Sequence, residues 1–487
     1  MGHLNESAAR LRAATSPTEF IRILHETGVS MLDLRFADLP GRWHHVTLPV
    51  AALAPSTFLD GVGFDGSSVS GFKTVERGDM VLLPDLSTAN VDPFAAEPTV
   101  YLLGTAAEAD TRQIFDRDPR VIASRAANAL ADSGHADTSL WSPELEFYIF
   151  TSVDYAESDD GAYYSVESLE AGWFDRDDRP NPGYRIAPGR GYHAIPPVDM
   201  TWDLRNEMTV AMIEAGVPVK YHHHENGAPG QVEIEVMGEP LVTAADNLLL
   251  SKYIIRNTAA AWDAAATFMP KPLATESGNG MHFHVKLERD GRPLFYDESG
   301  YAGLSEQALH FIGGILEHGR ALAAITNPST NSYRRLRPGF EAPTNLFFSA
   351  ANRSAAIRIP AYATEPATKT IEYRPSDATG NPYLTMAALL SAGLDGMERK
   401  LDPTTNGHGP FDVDLHSLPA AERDHIAPLP ARLEEALDAL RNDCVFLTST
   451  GAFPEGFVDA WIEQKAREAE EVRTRPHPTE YRLFFDC

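Results

Sequence analysis

Carboxylate and imidazole side chains recur at alternate positions in short segments rich in β-branched and aromatic residues. Residues two apart on a strand project from the same face, so each alternating pair points in one direction. Several carboxylates on one face are unfavourable unless cations neutralise them. Oxygen-rich ligation with an occasional imidazole favours Mg²⁺ or Mn²⁺ over zinc. The pairs are Glu144 and Glu146 in PELEF, Glu233 and Glu235 in QVEIEV, His282 and His284 in GMHFHV, and Glu372 and Arg374 in IEYRP.

A single pair of this kind is also typical of an antiparallel strand whose polar face meets water. The recurrence of the pattern, together with the histidine-rich segment at residues 221–225, favours a metal site. We therefore predict a sheet with one charged, metal-binding face.

Arginines cluster in two later segments and suit phosphate or carboxylate recognition, because the guanidinium group donates two parallel hydrogen bonds. Two cations beside a basic cluster are a common arrangement for phosphoryl transfer. Surface arginines paired with acidic residues are the alternative for each position. No Walker-type loop or dinucleotide fingerprint lies in a strand-to-helix setting. The residues are Arg334, Arg335 and Arg337 in SYRRLRPGFEAP, and Arg353 and Arg358 in ANRSAAIRIP.

The bulk properties exclude several classes of protein. A chain of 487 residues is too long for one ordinary core. Its net charge of −28 repels nucleic acid and anionic membranes, so neither is expected as a partner. Cys444 and Cys487 support neither a disulfide framework nor a cysteine zinc site. Without an apolar membrane-spanning run or the features of a secretory signal, a cytoplasmic location is expected.

Periodicity predicts an α+β organisation. Residues 1–115 are expected to form a small domain with one early helix, capped by Ser16, and a strand over 30–36. Residues 116–487 are expected to form the second domain, with a long, functional loop over 154–197. Its predicted strands are 142–150, 231–236, 280–287 and 371–374, and its predicted helices are 120–130, 203–215, 244–265, 305–324 and 383–399.

An ordered series of motifs resembles the bacterial type I glutamine synthetase family, from about Ser30 to the C-terminal PHPTEYRLFF. Each string is moderately specific, whereas the ordered set is highly specific. The motifs are GFDGSS, PELEF, HHHENGAPGQVEIE, FMPKP, GNGMHFH, TNPSTNSYRRLRPGFEAP, NRSAAIRIP, IEYRP and NPYL.

The resemblance implies a small N-terminal β-grasp-like domain and a C-terminal catalytic domain with a curved antiparallel sheet flanked by helices. It implies ATP as a substrate, two or three Mg²⁺ or Mn²⁺ ions, and a ring of subunits, usually two stacked hexamers. The implied ligands are Glu146, Glu225 and Glu233 for one metal, and Glu144, His282 and Glu372 for another.

The same resemblance implies roles for residues around the substrates. Glutamate would be held by Arg335, Arg374 and the backbone around Gly278. Asp65 of a neighbouring subunit would help to deprotonate ammonium, near Ser68 and Tyr192. Glu341 would lie on a flap over the intermediate, and the residues facing ATP would be His284, Arg353 and Arg358.

The implied reaction suits these residue types. A carboxylate is a poor acyl donor, and ATP converts it to a γ-glutamyl phosphate while metals and arginines stabilise the transferring phosphoryl group. The intermediate hydrolyses readily, so a flap must exclude water. Ammonium must then lose a proton before it attacks.

Several positions depart from the family pattern near the substrates. Ser277 replaces an asparagine, Lys220 stands where an acid is usual, and Lys286 replaces a serine. Lys369 is a candidate to replace one of the lost basic groups. His416 occupies the position of the family's modifiable tyrosine, so adenylylation at that point is excluded. The remaining departures are Ala351, Ala367 and Thr370, all at positions where the family has basic residues.

These departures leave two alternatives beside glutamate–ammonia ligation. One is a γ-glutamyl ligase that joins glutamate, or a related acid, to an organic amine in a specialised pathway. The other is a non-catalytic scaffold or sensor, which retention of all six matched metal ligands disfavours.

Overall fold

The computed structural model describes residues 8–173, 183–340, 342–413 and 425–487. Its element order confirms the predicted α+β class, with two main sheets and helices around the larger one. No helix of the described residues is long and apolar enough to cross a membrane.

The N-terminal part contains a five-stranded sheet in the order β2-β1-β5-β4-β3. β1 pairs parallel with β5, and the other neighbours pair antiparallel. The predicted first helix is confirmed, because the Ser16 side chain accepts a hydrogen bond from the Glu19 amide and starts it. The elements are α1 (Pro17–Glu26), β1 (Met31–Ala37), β2 (Trp43–Pro49), α2 (Pro55–Leu59), β3 (Val62–Asp65), β4 (Asp79–Val91) and β5 (Thr99–Glu108).

The larger sheet has ten strands and carries the acidic segments. Its main path runs β15-β16-β17-β13-β6-β10-β9, and every pair is antiparallel except β15 with β16. The four predicted strands are confirmed as β6, β10, β13 and β17. The strands are β6 (Thr138–Phe150), β9 (Val219–His224), β10 (Gln231–Val236), β11 (Glu239–Pro240), β12 (Ala265–Thr267), β13 (Met281–Arg289), β14 (Arg292–Pro293), β15 (Asn345–Ala350), β16 (Ala355–Ile359) and β17 (Ile371–Tyr373).

The helices pack on the apolar face of this sheet, and α5 and α9 bury most of their length. The prediction for 244–265 was wrong at its end, because α5 stops at Ala261 and β12 begins at Ala265. The helices are α3 (Pro119–Ser133), α4 (Trp202–Glu214), α5 (Leu241–Ala261), α6 (Glu306–Glu317), α7 (Gly319–Thr326), α8 (Ser332–Arg335), α9 (Pro382–Arg399), α10 (Leu433–Asn442), α11 (Val445–Thr448), α12 (Phe457–Arg473) and α13 (Pro478–Phe484).

One predicted helix over 305–324 is in fact two, α6 and α7, which separate at His318. His318 leaves helical geometry, with ψ near 6°, and its buried imidazole lies between two carboxylates. Its Nε2 is 2.9 Å from Asp395 and its Nδ1 is 2.8 Å from Asp443. This tertiary contact overrides a local pattern that is helical throughout.

The predicted loop over 154–197 was also wrong in its first part. β7 (Ser152–Ser158) and β8 (Gly161–Glu167) form an antiparallel hairpin whose side chains are mostly exposed. Because both faces of the hairpin lack apolar burial, its sequence does not show the alternation of a half-buried strand.

Contacts tie the N-terminal sheet to the larger one. Asn381, at the start of α9, donates hydrogen bonds to the carbonyls of Asp38 and Leu39. Gly41 has φ +92° and packs against the Asn381 backbone, so a side chain there would collide with it. Arg35 of β1, which forms buried ion pairs with Asp33 and Asp92, lies over the ring of Tyr253 in α5, 4.5 Å from its centroid. The division at residue 115 stays a prediction.

The His318 contact predicts a pH-dependent stability. Burial opposes the charged imidazole, but Asp443 and Asp395 together raise the pKa of His318. A raised folded-state pKa gives stabilisation that is fully present below the unfolded value and lost as pH rises through the folded value. In thermal melts, His318→Gln is expected to lower the midpoint by about 2 °C or more near pH 6 and by less near pH 9. An equal fall in the melting midpoint at both pH values would contradict the charged contact. The matched control is His25→Gln in α1, which removes an exposed imidazole.

Candidate active site

Strand register places the acidic and imidazole side chains in three adjacent rows across the larger sheet. Side chains directly opposite on antiparallel strands have Cβ atoms about 5 Å apart, close enough to share an ion. The rows are His223–Glu233–Glu146, Tyr221–Glu235–Glu144–His282, and His284–Glu372–Arg358.

His223 and Glu233 of the first row form a group with Glu225, which directly follows β9, and each of the three offers a ligand atom within 4.8 Å of the others. Burial, with repulsion from Glu146 and Glu233, raises the pKa of Glu225 well above its usual value. Burial and the neighbouring carboxylates, Glu144 first among them, do the same for Glu233. Carboxylates that repel one another in this way fit a divalent cation, which would remove the repulsion.

Glu144 of the second row and His284 and Glu372 of the third row form a second group, whose ligand atoms lie within 4.8 Å of one another. Glu144 is 2.8 Å from His282 Nδ1 and 2.8 Å from His284 Nε2. Although burial would raise the pKa of Glu144, His284 and His282 hold it well below its usual range. The imidazoles therefore balance part of the negative charge.

Both groups contain predicted ligands, but their membership differs from the prediction. His223 and His284 complete the two groups, whereas Glu146 and His282 line the same cleft outside them. The Glu146 side chain accepts a hydrogen bond from the Gly280 amide at 2.5 Å. The predicted metal assignment of Glu146 and His282 stays a prediction.

A cleft of about 380 Å³ lies over these rows. It brings together most of the predicted site residues, while His284 does not line it and contacts Glu144 at 2.8 Å. The predicted residues that line it are Glu144, Glu146, Tyr192, Glu225, Glu233, Gly278, His282, Arg335, Arg353, Arg358, Glu372 and Arg374.

Arg335 lines the cleft and is only 3% exposed. It is held by the carbonyls of Pro375 at 2.7 Å and Arg374 at 3.2 Å, and its Nη2 is 3.2 Å from His282 Nε2. A Cβ at Gly278 would lie 2.8 Å from the Arg335 side chain, and one at Gly280 would lie 2.7 Å from Nη2. Both glycines are therefore needed for the guanidinium to approach the backbone of this loop.

Arg374 and Arg358 flank Glu372 and offset its charge. Arg374 pairs with Glu372 Oε1, and Arg358 is 2.5 Å from Oε2. Arg374 also donates to the carbonyl of Arg353 at 3.1 Å. Tyr192 also lines the cleft and stacks on His193 with ring centroids 4.2 Å apart.

Two further predicted residues, Asp65 and Ser68, lie outside the cleft. Asp65 ends β3, the edge strand of the N-terminal sheet, and both Asp65 and Ser68 are exposed. The Asp65 carboxylate accepts hydrogen bonds from Ser67 and Ser68, which lower its pKa. Glu341, predicted on the flap, and His416 lie outside the described residues.

Sequence reasoning did not identify Gln231, which braces the loop that holds Gly278. Its amide donates to the Gly278 carbonyl and the Asn279 side chain at 3.0 Å each, and accepts from the Gly227 amide at 2.8 Å. The sequence could have indicated Gln231, because it lies two residues before Glu233 in the QVEIEV strand and therefore projects from the same face.

The departures from the family pattern have local partners. Lys220 is 2.7 Å from Glu235, so the exchanged charge balances a buried carboxylate. The Ser277 hydroxyl lies 3.3 Å from the side-chain nitrogen of Asn226, and the Thr370 hydroxyl lies 3.2 Å from His284 Nδ1. Lys369 donates to the Ala302 carbonyl and does not line the cleft. The three remaining departures are Ala351, Ala367 and Lys286. Lys286 donates a hydrogen bond to the Ala367 carbonyl at 2.8 Å and also forms an ion pair with Glu288. Ala351 has a backbone φ of +59°.

The acidic rows predict divalent-metal binding that depends on Glu233. We expect the protein to bind about two Mn²⁺ per chain and to melt at a higher temperature with Mn²⁺. Glu233→Gln should weaken binding at one of the sites about tenfold or more, because it removes a charged ligand. Titration calorimetry measures the number of bound ions and their affinity, and thermal melts with and without Mn²⁺ measure the change in melting temperature. Glu317→Gln, an exposed carboxylate in α6, is the matched control, and equal binding by the two variants would contradict the assignment.

Comparison with known proteins gives consistent results along the chain. Residues 28–107 match the family "Glutamine synthetase, beta-Grasp domain", and residues 116–484 match "Glutamine synthetase, catalytic domain". The glutamine synthetase of Mycolicibacterium smegmatis is 44% identical over 483 residues, covering 97% of this chain and 100% of the relative. That of Aquifex aeolicus is 45% identical over 471 residues, covering 97% and 99%.

Solved structures agree with these matches. The Plasmodium falciparum glutamine synthetase superimposes with a TM-score of 0.86 at 26% identity, covering 97% of this chain and 99% of that one. The ADP complex of GmaS gives a TM-score of 0.79 at 25% identity, covering 96% and 99%. With its acidic cleft, its β-grasp domain and full-length relatives above 40% identity, the chain belongs to the glutamine synthetase family.

Proposed function

We propose that this chain joins ammonia to the γ-carboxylate of glutamate, with ATP consumed through a γ-glutamyl phosphate, to give glutamine. The observation that carries the proposal is the convergence of two carboxylate–imidazole groups and buried arginines on one cleft. The similarity to glutamine synthetases at 44% and 45% identity supports ammonia over an organic amine as the nitrogen donor.

Two or three Mg²⁺ or Mn²⁺ ions would be held by the acidic rows. Glu146, Glu225 and Glu233 are proposed for one ion, with His223 close enough to join them. The set proposed for the second ion is Glu144, His282 and Glu372, with His284 as a further candidate. Bound metals would supply Lewis-acid stabilisation of charge on the phosphoryl oxygens.

Arg335, Arg374 and the backbone at Gly278 are proposed to hold glutamate. The buried guanidinium of Arg335 is positioned by backbone carbonyls and so needs little reorganisation when it meets a carboxylate. Donors fixed before the reaction stabilise developing charge more effectively than mobile ones.

Arg353, Arg358 and His284 are proposed to face the phosphates of ATP. Arg358 and His284 both lie beside Glu372, opposite it on the neighbouring strands. Their positive charge would offset the negative charge that collects when a triphosphate enters a carboxylate-rich cleft. The ADP bound in GmaS, a structural relative, supports a nucleotide site in this fold.

Asp65, with Ser68, is proposed to take a proton from ammonium in the cleft of a neighbouring subunit, near Tyr192. Asp65 lies outside its own cleft, and hydrogen bonds from Ser67 and Ser68 favour its ionised form. A head-to-tail contact that delivers Asp65 to the next subunit generates a ring if the rotation closes. We propose two stacked hexamers as the assembly.

Glu341 is proposed as the flap residue that closes over the acyl phosphate. Its neighbours Phe340 and Ala342 line the cleft, which supports a flap at this place. Exclusion of water would protect the intermediate from hydrolysis until ammonia arrives. Because ATP and glutamate are cytoplasmic metabolites, we propose that the reaction takes place in the cytoplasm.

The reaction is tested with purified protein, ATP, glutamate and Mg²⁺ or Mn²⁺, with phosphate release and product mass measured together. We expect ammonium-dependent glutamine formation at about 1 s⁻¹ or faster, within the usual enzyme range. Methylamine and larger amines replace ammonium in parallel reactions. Phosphate release that depends on an organic amine, without glutamine formation, would overturn the choice of ammonia.

The shared cleft predicts complementation between inactive subunits. Asp65→Ala should lower glutamine formation about a hundredfold or more, because a positioned base is lost. Glu233→Gln should also be inactive. When the two variants are co-expressed at equal levels, about a quarter of the clefts combine intact Asp65 and Glu233 from different subunits in a head-to-tail ring. Activity should recover to that extent.

A matched mixture of Arg335→Gln with Glu233→Gln should show no recovery, since both residues belong to one cleft of one chain. Recovery in this control, or full activity of Asp65→Ala alone, would contradict the role of Asp65 across the subunit contact.

A further inference from the structure

A second cavity lies between the N-terminal part and the catalytic domain and shares no lining residue with the active-site cleft. Its volume is about 1010 Å³, large enough for a small metabolite with its water. The walls come from the turn after β1, the middle of α5, the segment that follows β12, and α12.

The lining of this cavity is positively charged in a chain whose net charge is −28. Four cationic side chains and two carboxylates line it, so the cations outnumber the anions. The carboxylates are already engaged, since Asp38 accepts the Arg42 backbone amide and contacts His44, and Glu468 pairs with Lys465. The cations that remain are Arg42, Lys252 and Arg256.

Across the described ranges, none of these three cations forms an ion pair with a carboxylate. Lys252 is the most telling, because it is 6% exposed and its Nζ has one hydrogen bond, to the Ala378 carbonyl at 2.8 Å. Burying an ammonium group without a counter-ion is costly. Burial and the nearby Arg256 lower the pKa of Lys252 to about 7, and the attraction of Asp377 offsets only part of this shift.

The three cations also repel one another. Lys252 and Arg256 are four residues apart on α5, where like charges destabilise a helix. Burial and the approach of Arg42 from the other side of the cavity lower the pKa of Arg256. Phe268 contacts both α5 cations, with its ring centroid 5.9 Å from Lys252 Nζ and 5.2 Å from the Arg256 guanidinium carbon. The ring holds two mutually repelling groups at the same wall.

We propose that this cavity binds a small anion with two negative charges, held by Lys252 at the floor and by Arg42 and Arg256 at the mouth. A dianion would form the ion pairs that these three cations lack among the described residues, and arginine is suited to bidentate binding of phosphate or carboxylate. The chemistry fits an inorganic or organic phosphate and equally a dicarboxylate. Because no residue is shared with the acidic cleft, the site does not depend on the proposed reaction.

The test is titration calorimetry on the purified, assembled protein, freed of metal ions by a chelating resin so that metal-bound anions do not contribute. Inorganic phosphate and succinate are the two divalent probes, and acetate is the monovalent control. We expect phosphate, succinate or both to bind in competition with each other where both bind, and acetate to bind at least about tenfold more weakly. The stronger of the two probes identifies the phosphate or the dicarboxylate source.

Three variants locate the binding. Arg256→Gln and Arg42→Gln should each weaken it about tenfold or more, as expected for loss of a charge-assisted hydrogen bond. Arg358→Gln in the active-site cleft should leave it unchanged. Arg441→Gln, which removes an exposed arginine of α10, controls for net charge.

The proposal is overturned if the assembled protein binds neither probe, if acetate binds as well as they do, or if Arg358→Gln abolishes binding while Arg256→Gln does not. A structure of the assembly with an acidic segment of a second copy in the cavity would also overturn it. The calorimetric result stands whether or not the protein makes glutamine, so the two proposals fail separately.

Discussion

Repulsion among buried carboxylates on one face of the larger sheet is the constraint on which the rest of the structure depends. Glu144, Glu146, Glu233, Glu235 and Glu372 are each less than a tenth exposed. At about 4–5 Å, like charges in a protein interior repel by several kcal/mol per pair unless something neutralises them. The fold therefore has to bring counter-charges to fixed places around this face.

The counter-charges are distributed unevenly among these carboxylates. Glu372 has two arginines, Glu144 has two imidazoles and Glu235 has Lys220. In the part of the chain that the structure describes, Glu225 and Glu233 have only His223 near them, at 4.0 Å and 3.5 Å. Their raised pKa values follow from this deficit, and a divalent cation is the natural way to fill it.

The opposite face of the same strands supplies the stability that tolerates this cluster. Leu145, Phe147, Ile234 and Phe283 alternate with the acids and are fully buried against the helices. Burying each such side chain contributes about 2 kcal/mol, so a single strand can offset part of the electrostatic cost of its own acids. Strict alternation is needed, because a shift of one residue would exchange the two faces.

The sequence by itself determined the strands and the paired acids, since a two-residue period is a local property that needs no partner. It also determined the family, through motifs such as PELEF and GNGMHFH. The order in which the strands pair, and so the grouping of His223 with Glu233 and of His284 with Glu372, was decided by tertiary structure, because register depends on segments distant along the chain. The same reason explains the break at His318, which depends on Asp395 and Asp443, and the basic cavity, whose cations come from separate elements that meet only when the chain is folded.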